Sequence, residues 1–448
     1  MKEKKKKLII GLLSISVIAS SFIAFSHAKY KVTESVELAN GVINYEVGDA
    51  NLVGVYINTD NGYEKTDTIP DSGYVLNEEE SYCTVDKEKD TSINITYDTS
   101  SKTLAISPMT TKGTKCYLYF DEQKIPAKDI LLADNTTSSS RSGAITGIFT
   151  GTSHTLYTKQ DDWGTSYVYA GNINNNWVHF AGYYWRIIRI NGDGSIRMIY
   201  NGISTSQTGT GTQLQTSAYN SNGNDNAYVG YMYGSTGASS YSATHTNTTN
   251  STIKGILDNW YKTNIVDKDD SNGTSYNKYV STEAGFCNDR QMVSGWSGYG
   301  TLGYGTNATV YAPTKRFLNT SWSWLGSQTP TLNCSQSNDL FTTSGSSKGN
   351  KKLTYPVGLI TADEAVLAGG FGGSNNSSYY LYTGQHYWTM SPRNFNGSFA
   401  GVFLVNSNGN LLSNAFVTNG FGVRPVINLK ADVSFTGEGT TSSPYEVA

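Results

Sequence analysis

The chain has 448 residues, 15% of them charged, and its 33 Lys and Arg against 36 Asp and Glu give a net charge of −3. This balance lacks the basic face that nucleic-acid binding needs, and a mean hydropathy of −0.38 excludes a protein with many membrane spans. The low charge also argues against a disordered chain kept open by charge repulsion. The length predicts two or three domains of a globular protein rich in Gly and Tyr.

The first 28 residues have the pattern of a secretory signal peptide. A lysine-rich start precedes an uncharged, mostly apolar stretch over 8–25, and Ser26 and Ala28 place small residues at a cleavage site. An uncleaved anchor is the alternative, since the stretch nearly reaches the length that spans a bilayer. We expect the remaining chain to be extracellular or at the cell surface, with membrane contact only through residues 8–25 if they are retained.

Four cysteines, Cys83, Cys116, Cys287 and Cys334, suggest two disulfides in an exported protein. Three connectivities are possible, and proximity favours Cys83–Cys116 and Cys287–Cys334, one in each half of the chain. No pair of cysteines has the spacing of zinc ligands, and the histidines are scattered along the sequence. The sequence therefore predicts no metal site and no other cofactor.

Residues 30–125 read as a small β domain, in which short runs rich in β-branched and aromatic residues alternate with turn-forming clusters. The predicted strands are 52–57, 92–97, 103–106 and 116–120. Hairpins of this kind predict a sandwich-like domain, tied by Cys83–Cys116, that acts as a spacer. Residues 126–144 are predicted to be a linker that begins with a short helical segment at 127–133.

The larger domain is predicted over 145–430, followed by a C-terminal tail at 431–448. A strand over 176–190 and a second one over 195–200 flank an Asn-Gly turn and form a hairpin, with Trp177, Phe180 and Trp185 in the core.

Two contrasting segments follow this hairpin. Residues 203–253 contain one charged residue and are predicted to be a long surface loop. Apolar residues at helical spacing then predict a helix over 253–262.

The C-terminal part carries several local signals in a fixed order. Thr361 and Glu364 form a predicted capping box at the start of a short helix that ends at Gly369. A strand at 387–392 precedes a hairpin over 400–412 with its turn at 406–409. The segment 422–429 is predicted to be the closing strand.

This order resembles the C-type-lectin-like fold in its bacterial branch, which includes formylglycine-generating-enzyme-like domains and the variable proteins of diversity-generating retroelements. It is also similar to uncharacterised surface proteins of Gram-positive bacteria that share this ending. The matching pieces are Leu359, Thr361 and Glu364, then Trp388 and Ser391, then 402–412 with Gly409, and finally 423–426 (VRPV). The resemblance implies a mainly β fold with short helices (α+β) and a Gram-positive-type envelope.

The sequence departs from the active members of that family. Formylglycine-generating oxidases use a cysteine pair in the C-terminal half of the domain, whereas no cysteine follows Cys334. The calcium motifs of sugar-binding animal lectins are also missing. The acidic segment 267–273 resembles a calcium loop but has Ser271 at a ligand position and no Glu at the twelfth. No spacing singles out a glycosidase carboxylate pair or a nucleophile set, so we predict no enzymatic activity.

The predicted function is recognition of an extracellular glycan or protein by an adhesin-like surface that needs no calcium. Aromatic rings give a large contact area at low entropic cost, and Asn provides adaptable hydrogen bonds. The predicted ligand-binding residues are Tyr380, Tyr382, His386, Tyr387, Arg393, Asn394, Phe395, Asn396, Asn406, Asn408, Asn414 and Phe416. The alternatives are an extracellular glycan-active enzyme on the same scaffold and a structural envelope protein. Arg424 is predicted to be a buried structural residue.

Overall fold

The computed structural model describes residues 36–38, 41–44, 51–59, 62–70, 73–98, 103–108, 113–237, 240–297, 299, 302–305 and 307–447. The predicted signal segment, residues 1–28, lies outside the described residues. Contacts divide the chain into two compact units, Met1–Lys124 and Ile125–Ala448. The described part is mainly β with short helices, which confirms the predicted class. None of its helices has the length and apolar character needed to cross a membrane.

The first unit contains two sheets. Its strands are β1 (Val36–Leu38), β2 (Gly41–Asn44), β3 (Asn51–Thr59), β4 (Gly62–Thr66), β5 (Tyr74–Leu76), β6 (Tyr82–Val85), β7 (Glu88–Asp90), β8 (Asn94–Asp98), β9 (Thr103–Ser107) and β10 (Lys115–Glu122). One sheet has the order β1-β2-β9-β8, and the other has the order β4-β3-β10-β6-β7 with β5 beside β10. Strands therefore form at each of the four predicted runs.

One hydrophobic cluster joins the two sheets of the first unit. Buried residues alternate along β10, so Cys116, Leu118 and Phe120 point to one face and meet Leu104 of the other sheet. Cys116 stands directly opposite Cys83 in the β6–β10 pair, and the two form a disulfide. The predicted bridge is thus confirmed, and it lies inside the cluster.

The second unit has nineteen strands and five short helices among its described residues. The helices are α1 (Ala127–Ala133), α2 (Tyr241–Thr244), α3 (Thr252–Tyr261), α4 (Ala312–Phe317) and α5 (Ala362–Leu367). The strands are β11 (Thr136–Ser138), β12 (Thr155–Asp161), β13 (Gly164–Tyr169), β14 (Trp177–Phe180), β15 (Tyr183–Ile190), β16 (Ile196–Tyr200), β17 (Thr216–Ser217), β18 (Met232–Tyr233), β19 (Thr249–Asn250), β20 (Phe286–Cys287), β21 (Thr309–Val310), β22 (Leu340–Phe341), β23 (Tyr387–Phe395), β24 (Ala400–Val405), β25 (Leu411–Phe416), β26 (Phe421–Gly422), β27 (Val426–Leu429), β28 (Phe435–Thr436) and β29 (Tyr445–Val447).

A nine-stranded sheet forms the centre of the second unit, with β15 and β16 as the predicted hairpin. The predicted strand over 176–190 is in fact two strands, because Ala181 and Gly182 both take positive φ and turn β14 back onto β15. Trp177, Phe180 and Trp185 are buried, as predicted.

The C-terminal residues complete this sheet. β27, which follows Pro425, pairs antiparallel with β16, so Val426 lies opposite Ile199. Residues 431–448 were predicted to be a tail, and this is wrong for the described part of that segment. β28 pairs with β29, β29 runs parallel to β14, and Tyr445 is fully buried.

A six-stranded sheet contains the second predicted hairpin, β24 and β25, next to β23. β24 reads AGVFLV, and all six residues are buried because the sheet is covered on both faces. Leu404 packs in the main core, whereas Phe403 packs in a second cluster with Phe317 of α4 and Val366 of α5.

Two further predictions are corrected by packing. The segment 203–253 is not only a surface loop, because Tyr219, Val229 and Tyr231 are fully buried in the main core. The segment 126–144 is no free linker, because Leu131 of α1 is buried in the same core. Large aromatic and aliphatic side chains hold these polar segments in place.

Candidate functional site

Four of the predicted ligand-binding residues are buried, so the prediction is corrected for them: Tyr380, Tyr387, Asn394 and Phe395. Both tyrosine rings pack in the main hydrophobic core, and each lies beside a buried arginine. The Arg186 guanidinium lies 5.2 Å from the Tyr380 ring, and that of Arg424 lies 4.7 Å from the Tyr387 ring.

Arg424 is the structural residue that its sequence context predicts. Its Nε donates to the Tyr200 carbonyl at 3.1 Å and its Nη2 donates to Asn201 Oδ1 at 2.9 Å. The side chain is 1% exposed, so these bonds compensate its desolvation.

The remaining predicted residues lie at opposite ends of the β23–β24–β25 meander and do not form one patch. Tyr382, His386, Asn406 and Asn408 lie at the end that carries the β24–β25 turn, where the Ser407 N–H donates to His386 Nδ1 at 3.4 Å.

Arg393, Asn396 and Phe416 lie at the other end of the meander, where the Phe416 ring is 4.9 Å from that of Phe399. Asn414 lies on β25, and its side chain is outside the described structure. The sequence composition identified these polar and aromatic residues, but it did not predict that they lie at two opposite ends of the meander.

The buried charge network that the sequence did not predict begins at the capping box of α5. Thr361 Oγ1 accepts from the Glu364 N–H at 3.1 Å, and Glu364 Oε2 accepts from the Thr361 N–H at 2.9 Å. The local pattern predicts this box, but not that its carboxylate also holds two arginines from the nine-stranded sheet.

Arg189 and Arg197 converge on Glu364. Arg189 Nε donates to Oε1 at 3.0 Å, and Arg197 Nε lies 2.6 Å from the same oxygen as an ion pair without hydrogen-bond alignment. Arg189 also donates to Asp161 at 2.6 Å. Although burial opposes the change, the two guanidinium groups lower the pKa of Glu364.

Arg316 forms a second buried cluster that connects α4 to α5. Its Nε and Nη2 donate to the two oxygens of Asp363 at 2.7 and 2.9 Å, and its Nη1 donates to Asp289 at 2.7 Å. Burial raises the pKa of Asp363, which Arg316 opposes. This fork geometry is typical of a strong, bidentate pair.

A narrow cavity runs between these two clusters, beside the disulfide Cys287–Cys334 that confirms the second predicted bridge. Its volume is about 30 Å³, enough for about two water molecules and too small for a sugar or a peptide side chain. Asp162 lies on its edge and accepts from the Cys334 N–H at 3.0 Å. The carboxylates of Glu364 and Asp363, which line the cavity, are paired with arginines. The cavity is therefore a structural polar core.

An open cleft lies on the other side of Arg316. Its volume is about 450 Å³, within the range of small-molecule sites. The lining residues are Gln291, Met292, Val293, Ser294, Ala312, Lys315, Arg316, Thr329 and Ser335. Most of these side chains are exposed, and none of them is a carboxylate. The cleft thus combines apolar side chains with several hydroxyl and amide groups. Among the described residues, its unpaired positive charge comes from Lys315, because Arg316 is paired with Asp289 and Asp363.

The residues that the structure describes include no group of three or more His, Cys, Asp or Glu placed to hold a metal ion. In the acidic segment 267–273, Asp270 accepts hydrogen bonds from the backbone N–H groups of Asn272 and Thr274 and from the hydroxyl of Tyr279. The Asp270 carboxylate is thus used to close a turn of the chain.

A family model described as a domain of unknown function (DUF6273) matches residues 303–431. The matched segment contains α4, α5 and the β23–β24–β25 meander. No curated protein and no solved structure matches the chain.

Proposed function

We propose that the protein is an exported, adhesin-like binding protein whose second unit recognises an extracellular glycan or protein without calcium. The observation that carries the proposal is the open cleft of about 450 Å³, since the neighbouring cavity of about 30 Å³ admits only water. The cleft replaces the hairpin as the binding surface, because the predicted hairpin residues are partly buried and split between two ends.

Export to the cell surface is part of the same proposal. Both pairs of cysteines form disulfides, which persist in oxidising compartments. The lysine-rich, apolar start of the sequence supports secretion through a signal. A Gram-positive-type envelope is proposed from the family resemblance alone.

We also propose a C-type-lectin-like arrangement for residues 145–430. Its support is the pairing of β27 with β16 and the capping box at Thr361, in the order that the resemblance implies. An experimental structure of this region, compared with lectin-like domains, tests the arrangement. Unrelated strand connectivity would exclude it.

The test of binding is a screen of the purified protein against glycan and peptide arrays, with a cleft-filling variant. Thr329→Trp places a large ring in the cleft, and Thr418→Trp places the same ring on an exposed residue that does not line it. We expect Thr329→Trp to abolish binding and Thr418→Trp to retain it. Equal binding by both variants, or turnover of a substrate by the wild type, would reverse the proposal.

A further inference from the structure

Arg393 differs from every other arginine of the chain in how few partners it has. Its Nη1 donates to Asn394 Oδ1 at 2.7 Å, while its Nε is buried and has no hydrogen-bond partner. No carboxylate among the described residues lies within ion-pairing distance of it. The other arginines each have two or more polar partners, and they are Arg141, Arg186, Arg189, Arg197, Arg290, Arg316 and Arg424.

This shortage of partners has an energetic meaning. A guanidinium has five N–H donors, and burying it without acceptors is costly. Burial lowers the pKa of Arg393 to about 10, in line with a charge that lacks a counter-ion. The side chain nevertheless keeps some exposure, so a ligand from solvent can approach it.

The Arg393 guanidinium lies on one ring of an aromatic cluster. Its carbon lies 4.1 Å from the centre of the Trp322 ring, which in turn lies 5.1 Å from Trp296 and 5.5 Å from Tyr299. The indole N–H of Trp296 is buried and also has no partner. Two unpaired donors, one charged and one neutral, thus belong to a single aromatic cluster.

The backbone holds Trp322 in place at a conformational cost. Its φ is +61°, which is rare for a bulky residue and is maintained only where the surroundings enforce it. Asn319 does so, because its side-chain oxygen accepts from the N–H groups of Ser321 and Ser323, both at 3.0 Å. Strain of this kind is typical of sites where a side chain must have one orientation.

The cluster is connected to the cleft through the start of α4. The carbonyl of Arg393 accepts from the Tyr311 N–H at 3.1 Å and from Thr314 Oγ1 at 2.6 Å. The next residue, Lys315, is exposed, lines the cleft and has no ion pair among the described residues. Lys315 thus provides a second positive charge, one residue along α4 from the hydroxyl that binds the Arg393 carbonyl.

We propose that Arg393 and Trp322 bind the carboxylate-bearing unit of an acidic glycan, an inference that rests on the proposed binding function. The planar guanidinium matches a carboxylate with two parallel hydrogen bonds, and the rings offer an apolar surface to the sugar face. Lys315 attracts the next acidic unit of the same chain.

The test measures binding of galacturonic-acid oligomers and of the same oligomers after their carboxyl groups are reduced to alcohols. We expect the wild type to bind the acidic oligomer at least about tenfold more tightly than the reduced one. Arg393→Gln should remove this preference, and Arg393→Lys should keep only part of it, since an ammonium lacks the fork of donors. Lys352→Gln, which removes one charge from an exposed residue elsewhere, should change nothing.

Each outcome decides between the two proposals. Equal affinity for acidic and reduced oligomers, or an acidic preference that survives in Arg393→Gln, overturns the carboxylate site and leaves the binding function intact. If the protein binds peptides but no glycan, the carboxylate site is likewise overturned and the binding function is left intact. Absence of any ligand overturns both. If Arg393→Gln does not fold, the comparison of the two oligomers on the wild type and on Arg393→Lys still decides the point.

Discussion

Replacing Glu364 with Gln should destabilise the second unit strongly. The substitution keeps the size of the side chain but removes the charge that faces Arg189 and Arg197, whose side chains are 8% and 1% exposed. Breaking a buried ion pair by removing one partner costs about 3–5 kcal/mol, because the remaining charges stay desolvated. Asp161 still pairs with Arg189, so the largest effect falls on Arg197.

The assay is urea unfolding followed by tryptophan fluorescence. All eight tryptophans lie in the second unit, so the signal reports its unfolding and not that of the first unit. The matched control is Glu446→Gln, which removes an exposed carboxylate that pairs with His179. An exposed pair of this kind contributes about 0–1 kcal/mol.

A Glu364→Gln variant whose free energy of unfolding falls by no more than that of the control would contradict a stabilising role for this ion pair. Such a result would mean that the arginines find other acceptors or remain hydrated. In that case the narrow cavity beside Glu364 would hold enough water to solvate them.

Three more outcomes follow from described contacts. Because folding lowers the pKa of Glu364, its carboxylate stabilises the second unit fully above its ordinary pKa of 4.5, and this stabilisation is lost as the pH falls through the folded-state pKa. Urea midpoints measured between pH 7 and 3 should therefore fall less in Glu364→Gln than in the wild type. Replacing Cys287 and Cys334 with Ala should cost about 4 kcal/mol in the same assay, since the bridge closes 47 residues. Gly409→Ala should cost more than about 2 kcal/mol, because φ is +76° and a methyl group would overlap a carbonyl, whereas Gly397→Ala, in open space at positive φ, should cost about 1 kcal/mol.

Local features of the second unit were predictable because their causes lie within a few residues. The capping box of Thr361 and Glu364 is read from two residues three positions apart, and the turn at 406–409 from its Asn and Gly. The turn at Ala181 escaped prediction, because an alanine at positive φ carries no compositional signal.

The candidate site was less predictable because its contacts join distant parts of the chain. Glu364 meets Arg197 across 167 positions, and no local pattern indicates that pairing. Composition also does not separate a Tyr that faces solvent from one that covers a buried arginine, so Tyr387 was assigned to the wrong environment. Arg393 was predicted as a binding residue, but its aromatic neighbours at 296–322 were not.

The parallel register of β14 and β29 determines when this unit can finish folding. His179 and Glu446, which face each other there, are 267 positions apart, so β14 has an unsatisfied edge until β29 has been synthesised. Pairing over such a separation is slow to form. Removal of β29 would therefore leave an exposed sheet edge on β14, and a protein without this strand should be prone to aggregation.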